Sequence, residues 1–191
     1  MRIRNTPQTY GIINIILHWL MALIIPGLMV FGLWMVDLDY YDPWYKQGPD
    51  LHRSIGMIVL LLLLIRLGWR LTNPRPAMES GMANWEKISA TLVHWAFYIL
   101  LFTIITSGYL ISTADGRPVV VFELFEISAT LTSIPDQEDI AGFVHFYLAV
   151  GTVILGGLHA LAALKHHFIN KDETLRRMIG LSGRQRDQSG V

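Results

Sequence analysis

Four long stretches of this sequence carry almost no charge, and each is long enough to cross a lipid bilayer as a helix. They cover about residues 11–36, 51–71, 88–111 and 140–164. Inside hydrocarbon the chain must satisfy its own backbone hydrogen bonds, and an α-helix does this. The composition agrees, because 52% of the residues are hydrophobic and only 16% are charged. We therefore predict an all-α integral membrane protein, a four-helix transmembrane bundle that forms a single domain over residues 1–191.

Basic residues are concentrated on one side of the predicted bundle. Twelve of the 15 Lys and Arg residues fall at the amino end, within residues 66–87 or in the tail, and three fall on the opposite side beside ten acidic residues. Since cytoplasmic loops carry the excess of Lys and Arg, this predicts that both termini are cytoplasmic, with a short tail over 165–191. The three outer basic residues are Lys46, Arg53 and Arg117, and the tail contributes Arg184 and Arg186 among others.

Four of the seven histidines lie at two matching depths. His145 and His159 are fourteen residues apart on the fourth span, which separates them by roughly 21 Å along the helix and turns them within about 40° of each other. His18 on the first span lies at about the level of His159. His52, at the outer end of the second span, lies at about the level of His145. The depths predict two imidazole pairs, His18 with His159 and His52 with His145.

Two axial imidazoles at each of two levels are typical of noncovalent b-type haem in a helix bundle. The chain has no cysteine, which excludes thiolate ligands and covalent c-type haem. Zinc or non-haem iron would need three or four protein ligands converging on one point. Gly142, Gly156 and Gly56, each about one turn from a histidine, are predicted to leave room for a flat macrocycle, with tight helix packing as the alternative. We predict two haem b groups whose iron ligands are His18, His52, His145 and His159.

Arginines near the two levels are candidates for binding haem propionates. Arg53 is adjacent to His52 and is predicted to serve the outer haem. Arg66 or Arg70 is predicted to serve the inner one. The alternative is that these arginines only extend toward the headgroups.

Three histidines remain. His94 lies on the inner half of the third span, where it either competes as a ligand or hydrogen-bonds a propionate or a quinone. His166 and His167 lie at the inner interface and are predicted to form a solvated face. Any of the three is a candidate proton donor near the inner surface.

The outer loops are acidic and aromatic. The first reads D-L-D-Y-Y-D-P-W-Y-K-Q-G-P-D over 37–50, and its aromatic residues are predicted to form an interfacial belt. In the second outer loop, the segment from Val119 to Phe125 is predicted to lie along the outer surface as a short amphipathic turn or helix. Because an anion is attracted by positive charge, these acidic loops favour a cationic or neutral partner on the outer side. The aromatic residues of the first loop are Tyr40, Tyr41, Trp44 and Tyr45.

The chain resembles the bacterial cytochrome b561 family of small four-span dihaem proteins along its whole length. The motifs are I-L-H-W-L at 16–20, L-H-R-S-I-G at 51–56, R-L-x-x-R-L-x-x-P at 66–74, V-H-W-A-F-Y-I-L-L-F at 93–102, G-L-H-A-L-A-A-L-K-H-H-F at 157–168 and K-D-E-T-L-R-R-M at 171–178. The resemblance implies the same two ligand pairs and a place in the bacterial inner membrane. It also implies ubiquinone as the acceptor on the inner side and, for one kind of member, oxidation of superoxide on the outer side.

We therefore expect a dihaem membrane cytochrome that carries electrons between a periplasmic donor and ubiquinone. Its enzymatic form would be a superoxide:ubiquinone oxidoreductase, and no catalytic residue is assigned. The alternatives are a haem b anchor subunit of a larger dehydrogenase and a haem-free proton transporter or channel. Expected partners are membrane lipid, ubiquinone, and superoxide or a redox protein as donor. Nucleic acid is not expected, because 15 basic residues balance 15 acidic ones.

Overall fold

The computed structural model describes residues 2–181, and Arg184 and Arg186 of the charge pattern lie outside them. Four helices are long and apolar enough to cross a membrane, which confirms the predicted four-span helical architecture. The last of them continues into a π-helix and a short helix α5. The bounds are α1 Ile12–Val36, α2 Trp44–Thr72, α3 Asn84–Ser112, α4 Gln137–Lys165, the π-helix His166–Asn170 and α5 Thr174–Met178.

Helix α2 begins seven residues before the predicted start of the second span. Its first turns are polar, so a hydropathy pattern marks only the part that lies in hydrocarbon, whereas the helix continues beyond it. Trp44 and Tyr45 are consequently helical, although the sequence placed them in a loop. The side chain of Asp42 accepts a 2.8 Å hydrogen bond from the backbone N–H of Trp44. This N–H is one of those in the first turn of α2 that have no partner within the helix.

The segment predicted to be an amphipathic turn or helix over 119–125 is instead a β-hairpin. Strands β1 (Val119–Val121) and β2 (Phe125–Ile127) pair antiparallel. Phe122 and Glu123 both have positive φ, and the N–H of Leu124 donates to the carbonyl of Val121, as in a type I′ turn. Three successive β-branched valines favour a strand, and their alternation buries Val119 and Val121 while Val120 stays exposed.

The bundle consists of two helical hairpins. Helix α3 packs extensively on α4, and α1 packs on α2, whereas α1 and α4 touch only sparsely. A buried cluster of Met21, Val59, Leu63 and Leu101 fills the middle of the bundle. We call the end with residues 2–11, 73–83 and 166–181 the termini face, and the end with residues 37–43 and 113–136 the hairpin face.

The termini face is covered by chain segments that bind one another. The N–H of Ala77 donates to the carbonyl of Pro7 at 2.8 Å. Arg177 of α5 forms a 2.6 Å ion pair with Glu79. The indole N–H of Trp19 donates to the carbonyl of Met178 at 2.7 Å. Because Trp19 follows His18, this layer reaches one of the predicted ligands.

Candidate functional site

His52 and His145 come together near the hairpin face. Their ring centroids are 6.1 Å apart and their planes are 68° apart. Nδ1 of His145 lies 2.8 Å from the carbonyl oxygen of Ile104, so an N–H at Nδ1 donates there and Nε2 keeps its lone pair for a metal. The His52 ring stacks on Phe31 at 6.2 Å.

Two glycines that the sequence analysis missed make room for these rings. A Cβ at Gly108 would lie 3.0 Å from Cε1 of His145, and a Cβ at Gly32 would lie 3.2 Å from Cε1 of His52. Both separations are shorter than an ordinary carbon–carbon contact of about 3.5–4.0 Å. No spacing rule relates either glycine to a histidine on another helix, so the sequence carried no signal for them.

His18 and His159 come together near the termini face. Their ring centroids are 6.3 Å apart and their planes are 73° apart. Nη2 of Arg66 lies 3.0 Å from Nδ1 of His18. A guanidinium group can only donate, so Nδ1 accepts in this arrangement. Arg66 therefore lies at the pair for which the sequence predicted it.

The separations within both pairs suit one metal held between two imidazoles. A metal–imidazole nitrogen bond of about 2.0–2.1 Å places two opposed nitrogens about 4 Å apart and the ring centroids about 6 Å apart. His94 also approaches His159, but the centroids are only 5.3 Å apart. A third imidazole is therefore present at the termini-face level and is too close to His159 for an iron held between opposed rings.

Three glycines near the pairs have open space beside their backbone. A Cβ added at Gly56, Gly142 or Gly156 would meet no protein atom within 4 Å. These are the three glycines for which the sequence predicted such clearance. Within residues 2–181, no group of three or more His, Cys, Asp or Glu side chains is arranged to hold a metal ion by itself. An imidazole-only donor set with open backbone beside it suits haem better than a bare ion.

The other predicted propionate partners have contacts of their own. Arg53 pairs with Asp50 and donates from Nε to the carbonyl of Pro49 at 3.2 Å. The guanidinium of Arg70 lies 5.4 Å from the ring centroid of Trp95 and 5.7 Å from that of Tyr98.

A family model described as prokaryotic cytochrome b561 matches residues 9–181. The chain belongs to the prokaryotic cytochrome b561 family. It is 48% identical to cytochrome b561 homolog 2 of Escherichia coli, over 95% of this chain and 97% of that protein. It is 30% identical to the probable superoxide oxidase CybB of Yersinia pestis, over 90% and 96% of the two chains. It is also 26% identical to cytochrome b562 of Cereibacter sphaeroides, over 89% and 94%.

Membership confirms the coarser part of the predicted function. This b561-family protein is a multi-pass inner-membrane protein that binds b-type haem and transfers electrons. Four helices of membrane-spanning length carry the histidines described above.

A polar cluster around His166 lies at the termini face. The sequence predicted that His166 is part of a solvated face, and this prediction is wrong. This side chain is only 8% exposed. Its Nδ1 lies 2.6 Å from Asp172 and its Nε2 lies 4.0 Å from Glu86, which also binds Lys165 at 2.6 Å. The π-helix turns the ring inward, and Lys171, with a φ of 55°, reverses the chain so that Asp172 meets it. His167 is partly buried, and its Nδ1 has no partner among the described residues.

Proposed function

We propose that this cytochrome holds two b haems, one between His52 and His145 and one between His18 and His159, and carries electrons between a periplasmic donor and ubiquinone. The observation that carries the proposal is the presence of two imidazole pairs, one near each face, with centroid separations of 6.1 and 6.3 Å. Bis-imidazole haem b takes up and releases one electron at a time.

The polypeptide holds and orients the ligands at both levels. The carbonyl of Ile104 fixes the tautomer of His145 through the 2.8 Å contact at Nδ1. At the other level, Arg66 now bonds His18, and a haem propionate would offer it a carboxylate in place of the imidazole. The helices that carry His18 and His159, α1 and α4, make few contacts with each other, so a cofactor between them would displace little packing. Arg53 is proposed for a propionate at the hairpin-face pair.

The termini face is proposed to be cytoplasmic and to bind ubiquinone. Basic residues are concentrated at this face, as in cytoplasmic loops. A shallow groove of about 290 Å³ opens there, with Lys87 and Thr91 beside apolar side chains. Lys87 can donate to a quinone carbonyl. The groove lies on the same helix as His94, three residues from Thr91, and His94 contacts His159. The buried His166 cluster is a candidate path for the protons that quinone reduction consumes.

Superoxide is a second candidate donor, favoured by the likeness to a probable superoxide oxidase. The acidic hairpin face weighs against it, because association of an anion is accelerated by positive charge. An anchor subunit of a larger dehydrogenase is the alternative for the whole chain. It would co-purify with a stoichiometric partner, whereas a self-sufficient carrier reduces ubiquinone when purified alone.

Haem counting tests the proposal directly. A pyridine-haemochrome assay on the purified protein should give two haems per chain. The His145→Ala variant should lose the hairpin-face haem, and His159→Ala should lose the termini-face haem, with distinct changes in the reduced α-band. One haem per chain, or loss of the same spectral component in both variants, would refute the pairing.

A further inference from the structure

The hairpin face carries a large excess of negative charge. Counted together with the adjoining helix ends, over residues 37–53 and 113–139, it holds ten acidic residues against three basic ones, a formal excess of seven negative charges. Nine of the ten acidic residues are exposed, all except Asp42. Clustered exposed charges of one sign create a field that attracts partners of the opposite sign.

Two of the three basic residues at this face are already neutralised within the chain. Arg53 pairs with Asp50, and Arg117 pairs with Asp115. Lys46 is exposed and makes no ion pair with any residue in the described range 2–181. Lys46 is therefore the one basic residue among these three that is left to attract an anionic substrate.

The same face presents large exposed apolar and aromatic side chains. Leu124 at the β-hairpin turn is 80% exposed, Phe125 is 56% exposed, and Tyr41 in the α1–α2 loop is 91% exposed. Glu123 and Glu126 flank Leu124 and Phe125 in the hairpin. Apolar and aromatic groups surrounded by polar ones are typical of protein–protein interfaces.

The β-hairpin also rests on the helix that carries a predicted ligand. The N–H of Phe122 donates to Oγ of Ser54 at 3.0 Å. Ser54 lies two residues after His52 on α2. A protein bound to the hairpin would therefore lie over the part of the bundle that holds the His52–His145 pair.

We propose that the hairpin face docks a cationic one-electron redox protein, which is the physiological donor. This inference rests on the proposed function and names the class of its donor. The step would transfer one electron: the donor would be oxidised by one electron, and the haem that His52 and His145 would hold would accept that electron, its iron going from ferric to ferrous. No proton moves and no bond is made or broken.

The experiment uses the full-length haem-loaded protein in nanodiscs of zwitterionic phosphatidylcholine, so that the lipid adds no net charge. A ferric basic c-type cytochrome is the probe, and an acidic redox protein of similar size is the comparison. Binding is measured by surface plasmon resonance, with empty nanodiscs as the blank. Oxidation of the pre-reduced membrane cytochrome is followed by stopped flow, since the docking surface serves either direction of transfer.

The test variant is Asp37→Asn/Glu123→Gln/Glu126→Gln, which removes three charges with little change in shape. The matched control is Asp37→Glu/Glu123→Asp/Glu126→Asp, which keeps them. We expect the basic probe to bind the wild type at low salt and to lose roughly tenfold or more in affinity at 200 mM salt. The neutralised variant should bind several-fold more weakly at low salt, and the control should match the wild type.

Three results would overturn the inference: binding of the basic probe that is independent of salt, equal binding of the acidic protein, or unchanged binding by the neutralised variant. The Leu124→Ser/Phe125→Ser variant tests the apolar part. This variant is expected to bind the basic probe more weakly than the wild type. Wild-type affinity would indicate that the hairpin turn is buried in lipid, and would contradict the inference that the turn is part of the docking surface.

Two readouts separate this inference from the proposed function. Reduction of the haems by dithionite and their reoxidation by ubiquinone do not use the docking surface and should be equal in all variants. If ubiquinone fails as acceptor while salt-dependent probe binding persists, the proposed acceptor is wrong and the docking surface stands. If ubiquinone reoxidises the haems but binding of the basic probe gives any of the three results above, only the docking inference is rejected.

Discussion

Replacing Gly108 with alanine tests whether the His145 ring is held in place for a ligand. The added Cβ would lie 3.0 Å from Cε1 and 3.2 Å from Nδ1 of His145. Since ordinary carbon–carbon contacts are about 3.5–4.0 Å, the ring must move by a few tenths of an ångström. The contact between Nδ1 and the carbonyl of Ile104, now 2.8 Å, is the bond that such a movement lengthens.

The expected effect on haem binding exceeds the effect on folding. Alanine in place of glycine stabilises a helix interior by about 1 kcal/mol, and overpacking costs about 1–3 kcal/mol. The free energy of unfolding of the haem-free protein therefore falls by at most about 2 kcal/mol. Loss of the hydrogen bond that orients a ligating histidine typically costs about 10–100-fold in metal affinity. We expect a loss of that size at the His52–His145 pair alone.

The assay is a haem titration of the apoprotein, with the two sites separated by their reduced α-bands. Gly151→Ala is the matched control, because Gly151 is exposed on α4 and its added Cβ would meet nothing within 4 Å. If Gly108→Ala binds two haems with wild-type affinity, or weakens only the termini-face site, the assignment of His145 as the ligand at the hairpin-face level is refuted.

Three further predictions concern other parts of the molecule. Gly142→Ala adds a Cβ that meets no protein atom within 4 Å, so haem content should fall while the thermal stability of the apoprotein rises slightly, because alanine stabilises a helix interior relative to glycine; full haem content would place the macrocycle elsewhere. Lys87→Met should raise the KM for ubiquinone several-fold and leave the haem spectrum unaltered, and an unchanged KM would reject the groove. The pKa of Asp172 lies below its usual 3.8, because burial raises it but hydrogen bonds from Thr174 and the contact with His166 lower it by more. Its contribution to stability is therefore complete above about pH 4 and is lost as the pH falls through the lowered pKa. The protection factor of the Thr174 amide against hydrogen exchange, which corrects for the intrinsic pH dependence of exchange, should fall in that range in the wild type, and the Asp172→Asn variant should show no such fall.

The features predicted correctly from the sequence depend on regular helix geometry. Helix α4 runs without interruption from Gln137 to Lys165, so the rise of about 1.5 Å per residue holds between His145 and His159. Each partner histidine lies within a few turns of its own helix end, and the membrane aligns those ends. The depths could therefore be estimated from residue counts. The structure brings the expected residues together, while their role as ligands stays a prediction.

The features that were missed depend on contacts between distant segments. The β-hairpin near Val121 is stabilised by burial of its valines and by Ser54 on α2, neither of which a seven-residue window reveals. His166 is buried because a π-helix and a left-handed residue at Lys171 bring Asp172 back onto it. Single residues with unusual backbone angles redirect a chain end, and hydropathy does not record them.

His94 shows where residue counting stops being informative. His18 and His94 lie at similar depths, and both rings face His159, so depth alone does not choose between them. The two histidines differ in their distance from His159: the centroid separation is 6.3 Å for His18, which suits a metal between the rings, and 5.3 Å for His94, which is too short. Helix packing explains the difference, because α3 lies tightly against α4 whereas α1 hardly touches it. A close helix interface leaves no room for a metal between two rings, and a loose one does. Of these two interfaces with α4, the looser one is therefore better suited to hold the cofactor, since the cofactor itself would fill that gap.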